Sequence, residues 1–252
     1  MNRAPAPAHS DLEWLLLTTP DDDEEAPWMT MPEFQWRVCA LLMSILERYK
    51  RAHGLPWYLV AELKITMPRG PIRRDLDLGP DLLMAVSDDH ERRSWNVSAE
   101  GGPPLFVLEV VTEDSWRRDT EEKPLLYEMI GVREYAIFAP ERKTRGPKLF
   151  GYRRNARDQW VKWTPDAPNV LRSEALGGLR LFVDGARLRV LDHEGQVLLS
   201  EAEEAEEQRQ RAEQETMRAE EQQQRAEEQQ QRAEAAEAEL RQLRARYGIV
   251  DE

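Results

Sequence analysis

The sequence predicts an α/β domain with a mixed sheet between helices, followed by one long C-terminal helix. Two observations lead to this prediction. Between residues 31 and 199, apolar residues at helical spacing alternate with short extended segments bounded by Gly and Pro. From residue 200 onward, Arg, Ala, Glu and Gln recur with a period of seven. The chain is therefore divided into residues 1–30, 31–199 and 200–252.

The first 30 residues are rich in Pro, Asp and Glu and include five consecutive acids at 21–25. Consecutive carboxylates without a scaffold are typical of a flexible acidic leader rather than of a metal site. A helix is predicted over residues 32–52, because apolar residues recur there at helical spacing. Gly54 is its expected end.

Extended segments are predicted at residues 57–65, 81–86 and 105–111, with turn residues at 68–71 and 101–104 between them. Residues 119–130 have a helical pattern that ends at Gly131. Further strands are predicted in order along the chain, at 134–138, in a hairpin of 148–153 with 160–163, and at 179–183 and 188–191. This succession favours a layered α/β domain.

Residues 200–252 are predicted to form one charged helix. Alanines spaced seven apart form one seam that continues in Leu240 and Tyr247, but the matching second seam holds Gln and Glu before it reaches Ala236 and Leu243. A stable coiled coil has apolar residues in both seams. The pattern is therefore compatible with a solvated single helix, with loose self-association, or with a tighter dimer.

Charge and composition exclude several classes. Residues 201–252 hold 16 acids and 8 arginines, a net of −8, so −5 of the total of −13 belongs to residues 1–200. An acidic domain argues against tight, non-specific binding of nucleic acid. The single cysteine, Cys39, excludes an internal disulfide. No apolar stretch approaches the roughly 20 residues that span a bilayer, and no secretory signal is evident, so we expect a cytoplasmic protein without membrane association.

Two acids and a lysine form the candidate site. Asp81 precedes one apolar strand, Glu109 lies within another, and Lys123 begins the helix that follows. A carboxylate in an apolar strand requires either a cation or a buried ion pair, because burying it alone costs several kcal/mol, roughly. Asp81 and Glu109 on neighbouring strands would hold Mg²⁺ or Mn²⁺, and Lys123 would orient the attacking water in phosphodiester cleavage.

Several segments resemble the Uma2 family: Asp81 after Pro80, the strand at 106–111, the Asp119-x-x-x-Lys123-x-x-x-Tyr127 helix, and the Gly131-Val-x-Glu-Tyr strand entry. The resemblance covers roughly residues 30 to 190. It implies a bacterial restriction-type endonuclease with the PD-(D/E)XK fold, which is a mixed central sheet flanked by helices. It also implies metal-dependent cleavage of DNA, with Asp81 and Glu109 as the acids of the motif.

The usual signature of that fold has lysine two residues after the second acid, where this chain has Val111. The resemblance suggests that Lys123 replaces it from the helix. Asp119 would hold Lys123 in position or bind metal through water, and Tyr127 has a supporting role. In many such nucleases an acid on the first helix also contributes, and Glu33 is the nearest candidate here, followed by Gln35. Glu62, expected within a strand, would lie behind the metal ligands or face solvent.

Two functions follow from these observations. The first is a Mg²⁺-dependent DNA endonuclease in which Asp81, Glu109 and Lys123 are catalytic. The second is a catalytically weak or inactive protein with the nuclease fold, which binds a partner or forms homo-oligomers through residues 201–252.

Overall fold

The computed structural model describes residues 32–67, 76–140, 146 and 148–247. Its contacts divide the chain into two units, Met1–Ser200 and Glu201–Glu252. The expected leader and the turn at 68–71 lie outside the described residues. The predicted fold class is confirmed, because a mixed central sheet packs between helices and a long C-terminal helix follows.

The first helix, α1, runs from Glu33 to His53, within one residue of the prediction at either end. Its buried residues follow a 3-4 spacing that forms one stripe along the helix: Gln35, Val38, Cys39, Leu42, Ile45 and Leu46. Gly54 ends the helix in the left-handed conformation with φ of 60°, and its N–H donates to the carbonyl of Lys50.

Six strands form the central sheet in the order β1–β4–β6–β7–β8–β9. Their bounds are Trp57–Ala61 (β1), Leu82–Val86 (β4), Phe106–Val110 (β6), Glu134–Ala139 (β7), Lys148–Arg154 (β8) and Trp160–Lys162 (β9). Strands β6 and β7 are parallel and are connected by helix α2, Lys123–Ile130, whereas the other neighbours are antiparallel. The sheet is therefore mixed, and the predicted hairpin of β8 with β9 is confirmed.

The two faces of the sheet have separate cores. Phe106, Leu108 and Val110 of β6 pack with α1, whereas Val107 and the following Val111 pack with α2. Because side chains of a strand alternate between faces, Glu109 shares the α2 face with Val107. In β4 the alternation assigns Leu83 and Ala85 to the same α2 face.

The prediction of one continuous strand over residues 57–65 is wrong. Strand β1 ends at Ala61, and Glu62 adopts a left-handed backbone conformation with φ of 56°. The chain then enters a second sheet, in which β2 pairs with β3 and with β5. The bounds of these strands are Ile65–Met67 (β2), Leu76–Leu78 (β3) and Trp95–Asn96 (β5). No pattern in the sequence predicts the two-residue β5.

A third sheet is formed by β10–β12, with bounds Val170–Arg172 (β10), Arg180–Asp184 (β11) and Arg187–Leu191 (β12). Glu134 at the start of β7 fastens the loop between β10 and β11. Its carboxylate accepts hydrogen bonds from the Ser173 hydroxyl, from the amide of Glu174 at 2.8 Å and from the amide of Ala175 at 3.3 Å. Burial raises the pKa of Glu134. These hydrogen bonds account for the burial of Glu134, which therefore needs no catalytic role.

Gly151 of β8 has no room for a side chain. A Cβ at this position would lie 2.0 Å from the backbone oxygen of Tyr135 on β7. We expect Gly151→Ala to lower the free energy of unfolding by about 1–3 kcal/mol, because the paired strands must separate locally. Urea denaturation measures the effect. Gly79→Ala is the control, since nothing lies within 4 Å of the added Cβ, and an equal loss in both variants would contradict the prediction.

The second unit contains helix α3, Glu201–Tyr247. Its described side chains are exposed along most of its length. Glu-to-Arg pairs four residues apart support the helix, with distances of 3.2 Å for Arg211–Glu207, 3.8 Å for Arg225–Glu221 and 4.0 Å for Arg232–Glu228. Neither α3 nor any other helix in the described part of the chain is long and apolar enough to cross a membrane.

Candidate active site

Asp81 lies immediately before β4, where the sheet begins to pair β4 with β6. The register pairs Leu82 with Leu108, so Asp81 and Glu109 continue the pairing by one position. The Asp81 carboxylate accepts the N–H of Val110 at 2.6 Å. The alternation of side chains along both strands assigns both carboxylates to the α2 face of the sheet.

Glu109 is the buried centre of the cluster. Its side chain is 2% exposed, and one carboxylate oxygen, Oε1, has two partners. The Lys123 amine, Nζ, lies 2.7 Å from this oxygen, and the Tyr127 hydroxyl donates to it at 2.8 Å. Both partners come from α2, one turn apart. The helix that follows β6 thus folds back over the acid of that strand.

A π-helical turn, Arg118–Glu122, precedes α2 and aligns its polar residues. Pro124 has no N–H, and its ring crowds the carbonyl four residues earlier, so an α-helical register is unfavourable at this point. The amide of Lys123 instead bonds to the carbonyl of Arg118. Asp119, with its side chain 3% exposed, then lies with Oδ1 2.8 Å from the Lys123 amine.

Tyr135 of β7 contacts the π-helical turn. Its hydroxyl donates to the backbone carbonyl of Asp119 at 2.7 Å, and its ring packs on that of Tyr127 with centroids 4.8 Å apart. The two tyrosines therefore fix the positions of both partners of Lys123: Tyr127 contacts Glu109 and Tyr135 holds the backbone of Asp119.

The cluster has more carboxylates than cations. Glu109 and Asp119 contact the amine of Lys123, and the charge of Asp81 interacts with the same amine. Burial raises the pKa of Glu109 to about 8. The charge of Lys123 lowers this pKa, whereas the charges of Asp81 and Asp119 raise it further. Burial likewise raises the pKa of Asp81 to about 6, although the Val110 amide and Lys123 act in the opposite direction. The two neighbouring acids raise the pKa of Lys123 despite its burial.

These pKa shifts predict that the metal-free protein is more stable at pH 6 than at pH 9. An acid whose pKa is raised by folding contributes stability at low pH, and this contribution is lost as the pH rises through the folded-state value. For Glu109 alone the loss is about 1.4 kcal/mol per pH unit at most, between pH 6 and 8. Chemical denaturation across pH 6–9 with a chelator measures it. Glu109→Gln should flatten the profile, and an equally steep profile in that variant would contradict the assignment.

The Glu33 side chain is exposed and pairs with Arg37 at 2.5 Å. The residue of α1 that reaches β6 is Gln35, which is buried and donates from Nε2 to the Val110 carbonyl at 2.5 Å. The signal was present in the sequence, because Gln35 and not Glu33 continues the apolar stripe of α1.

Glu62 was expected within a strand, and the left-handed bend after β1 accounts for the error. The exposed side chain nevertheless lies near enough to raise the pKa of Asp81 through its charge. The Glu62 amide donates to the Asp81 carbonyl at 3.3 Å. Glu62 therefore borders the cluster from its solvent side.

A groove of about 580 Å³ lies along β8 and does not include the acids of the cluster. It is lined by Trp116, Gly146, Lys148, Leu149, Phe150 and Asn169. Trp116, which lines the groove, lies shortly before the π-helical turn in the sequence. Lys148 is the one ionisable residue of this lining, which includes no carboxylate.

The donor atoms of the cluster are suited to a hard divalent cation. Carboxylate oxygens are the ligands that Mg²⁺ and Mn²⁺ prefer, and Mg²⁺ typically uses only one or two of them and retains several waters. The excess of carboxylates over Lys123 provides the negative charge that such a cation would neutralise. Among the residues that the structure describes, no three His, Cys, Asp or Glu side chains are grouped as ligands for one metal ion.

The fold and the cluster together define an α/β protein with two acids, on adjacent antiparallel strands, beside a buried lysine. Residues 23–184 match the model of the Uma2 family, described as "Putative restriction endonuclease", and the chain belongs to that family. The resemblance seen in the sequence is thereby confirmed. No curated protein matches the chain.

Solved structures that are similar in part include the crystal structure of a "putative nuclease belonging to DUF820" from Anabaena variabilis, with 14% sequence identity and a TM-score of 0.44. The match covers 61% of this chain and 80% of that one.

Proposed function

We propose that the protein is a Mg²⁺-dependent DNA endonuclease in which Asp81 and Glu109 hold the metal and Lys123 assists the attacking water. The observation that supports this most is the contact of the Lys123 amine with Glu109 at 2.7 Å. Lys123 thereby supplies, from α2, the cation that the nuclease signature usually has at the position of Val111. Membership of the Uma2 family supports a nucleic-acid substrate. Action in the cytoplasm is part of this proposal.

Each residue of the cluster has a distinct proposed role. A bound Mg²⁺ or Mn²⁺ would lower the pKa of a water and neutralise charge on the phosphoryl oxygens. Asp81, on the more exposed side, and Glu109, behind it, would be its ligands. The Lys123 ammonium orients the attacking water and offsets the negative charge that develops on the phosphoryl group. Asp119 and Tyr127 are positioning residues, because they contact Lys123 and Glu109 rather than the substrate.

The proposal is tested by incubating the purified full-length protein with supercoiled plasmid and with linear duplex and single-stranded DNA. We expect nicked or linear products with Mg²⁺ or Mn²⁺ and none with EDTA. The absence of cleavage with either metal on all three substrates would overturn the proposal.

A second candidate is a protein with the nuclease fold but without cleavage activity, acting through α3. It is favoured by the closed form of the cluster: Glu109 is buried and already bonded to Lys123 and Tyr127, an arrangement that needs no metal. Calorimetric titration with Mn²⁺ separates the candidates. An endonuclease binds Mn²⁺ in a manner that Asp81→Ala removes, whereas a purely structural ion-pair cluster gives no binding that depends on Asp81.

A further inference from the structure

Helix α3 exposes large apolar side chains near its C-terminal end. Leu240 is 53% exposed and Leu243 is 44% exposed, although the surrounding helix is strongly charged. They lie three residues apart, so they form one patch on the helix surface. Ala233 and Ala236 extend this patch by one heptad. The patch is the apolar end of a seven-residue repeat that runs along the whole helix.

The repeat defines which residues would face a second helix. With Ala205 as the first position of a heptad, the first positions run in steps of seven to Leu240 and the fourth positions run from Gln208 to Leu243. First and fourth positions form the contact seam of a two-stranded coiled coil, and fifth and seventh positions flank it. In the 233–243 segment, all four seam residues are apolar.

The flanking charges fit a parallel pair of identical helices. In a parallel, in-register pair, each seventh-position residue lies beside the fifth-position residue of the next heptad on the other helix. Three such pairs have opposite charges: Glu204 with Arg209, Arg232 with Glu237, and Glu239 with Arg244. The other seventh-position arginines, at 211, 218 and 225, meet Thr216, Gln223 and Gln230. None of these six pairs is a like-charge pair.

The antiparallel arrangement is disfavoured by the same residues. There the seventh positions of the two helices face one another, and four consecutive seventh positions are arginines, at 211, 218, 225 and 232. Any alignment with extensive overlap brings some of these arginines together, and like charges at such positions repel. It would also oppose Leu240 and Leu243 to polar residues of the acidic half.

We propose that α3 pairs with α3 of a second copy of this chain as a parallel, in-register coiled coil that is anchored at residues 233–243. The pairing does not depend on the proposed nuclease activity. Glu215 weakens it, because this fourth-position residue faces its own copy across the seam and two carboxylates desolvate each other there. Because both seams are apolar only within residues 233–243, the helices associate with moderate rather than high affinity.

Disulfide cross-linking of the full-length protein tests orientation and register together. Ala236→Cys places a thiol in the seam opposite its own copy, whereas Ala238→Cys, two residues away, places it on the outer face. Both variants retain the buried Cys39. We expect the chain to sediment as a concentration-dependent dimer, and we expect Ala236→Cys to cross-link under mild oxidation while Ala238→Cys does not. A monomer at every concentration, a dimer in which Ala236→Cys does not cross-link, or equal cross-linking of both variants would overturn the proposal.

The Glu215 layer gives an independent measurement. Glu215→Leu is expected to lower the dissociation constant of the dimer by about tenfold or more, because it replaces facing carboxylates with apolar contact. Glu220→Leu removes the same charge from the outer face and is expected to leave the constant within about twofold. An unchanged or raised dissociation constant in Glu215→Leu would contradict the register.

Discussion

Replacing Asp81 or Glu109 by its amide is expected to reduce DNA cleavage by about 10²-fold or more. Asp81→Asn and Glu109→Gln retain the shape of each side chain but remove the charge that would hold a divalent cation. Without that cation the negative charge on the phosphoryl group is not stabilised in the transition state, and losses of this size are typical for such interactions. Initial rates of plasmid nicking in Mg²⁺ and Mn²⁺ measure the effect.

The amide variants also separate loss of chemistry from loss of fold. The pKa of Glu109 is raised to about 8, so at pH 9 its side chain carries a buried charge that Glu109→Gln removes. This variant should therefore unfold at or above the denaturant midpoint of the wild type at pH 9. Glu91→Gln is the control, because it removes an exposed carboxylate from the loop between β4 and β5. Cleavage that persists undiminished in both Asp81→Asn and Glu109→Gln would exclude these acids as the metal ligands.

The part of the site that the sequence predicted is the part governed by strand alternation and helix spacing. Asp81 and Glu109 are predicted as the two acids because one precedes and the other lies within an apolar strand, on the condition that the two strands are neighbours. Tyr127 is predicted only through the Asp-x-x-x-Lys-x-x-x-Tyr motif of the resemblance, in which a spacing of four aligns side chains on a helix. Pairing of β4 with β6 then brings the acids together, and this long-range step follows from the resemblance rather than from local pattern.

The errors arise where tertiary contacts or backbone conformation override local pattern. Glu62 lies between the apolar residues Ala61 and Leu63, so nothing in the sequence indicates its left-handed φ of 56°. The charge of Glu33 makes it a candidate in the sequence, whereas the residue of α1 that is buried is Gln35. The sequence predicts that the helix begins near Lys123, as it does, but it does not predict the π-helical turn before Pro124, since that turn depends on packing against Tyr135 as well as on proline.

Lys123→Met is expected to lower the free energy of unfolding by about 3–5 kcal/mol at pH 9, because it leaves Glu109 and Asp119 buried without a cation. The side chains of the two acids are 2% and 3% exposed, so solvent replaces little of the lost interaction. At pH 6 the loss should be smaller, since the raised pKa of Glu109 allows this acid to be neutral. Urea denaturation at both pH values measures the difference, with Lys162→Met, an exposed lysine of β9, expected within about 0.5 kcal/mol of wild type.

A double-mutant cycle distinguishes the stabilising role of Lys123 from its proposed catalytic role. In Lys123→Met with Glu109→Gln, one buried charge no longer needs a partner, so part of the lost stability should return at pH 9. Cleavage should not return, because the double variant lacks both a metal ligand and the amine that orients water. Recovery of stability without activity is the result expected if one lysine serves both the fold and the chemistry. A Lys123→Met protein as stable as wild type at pH 9 would show that the buried acids do not depend on this amine, and the charge balance proposed for the cluster would then be wrong.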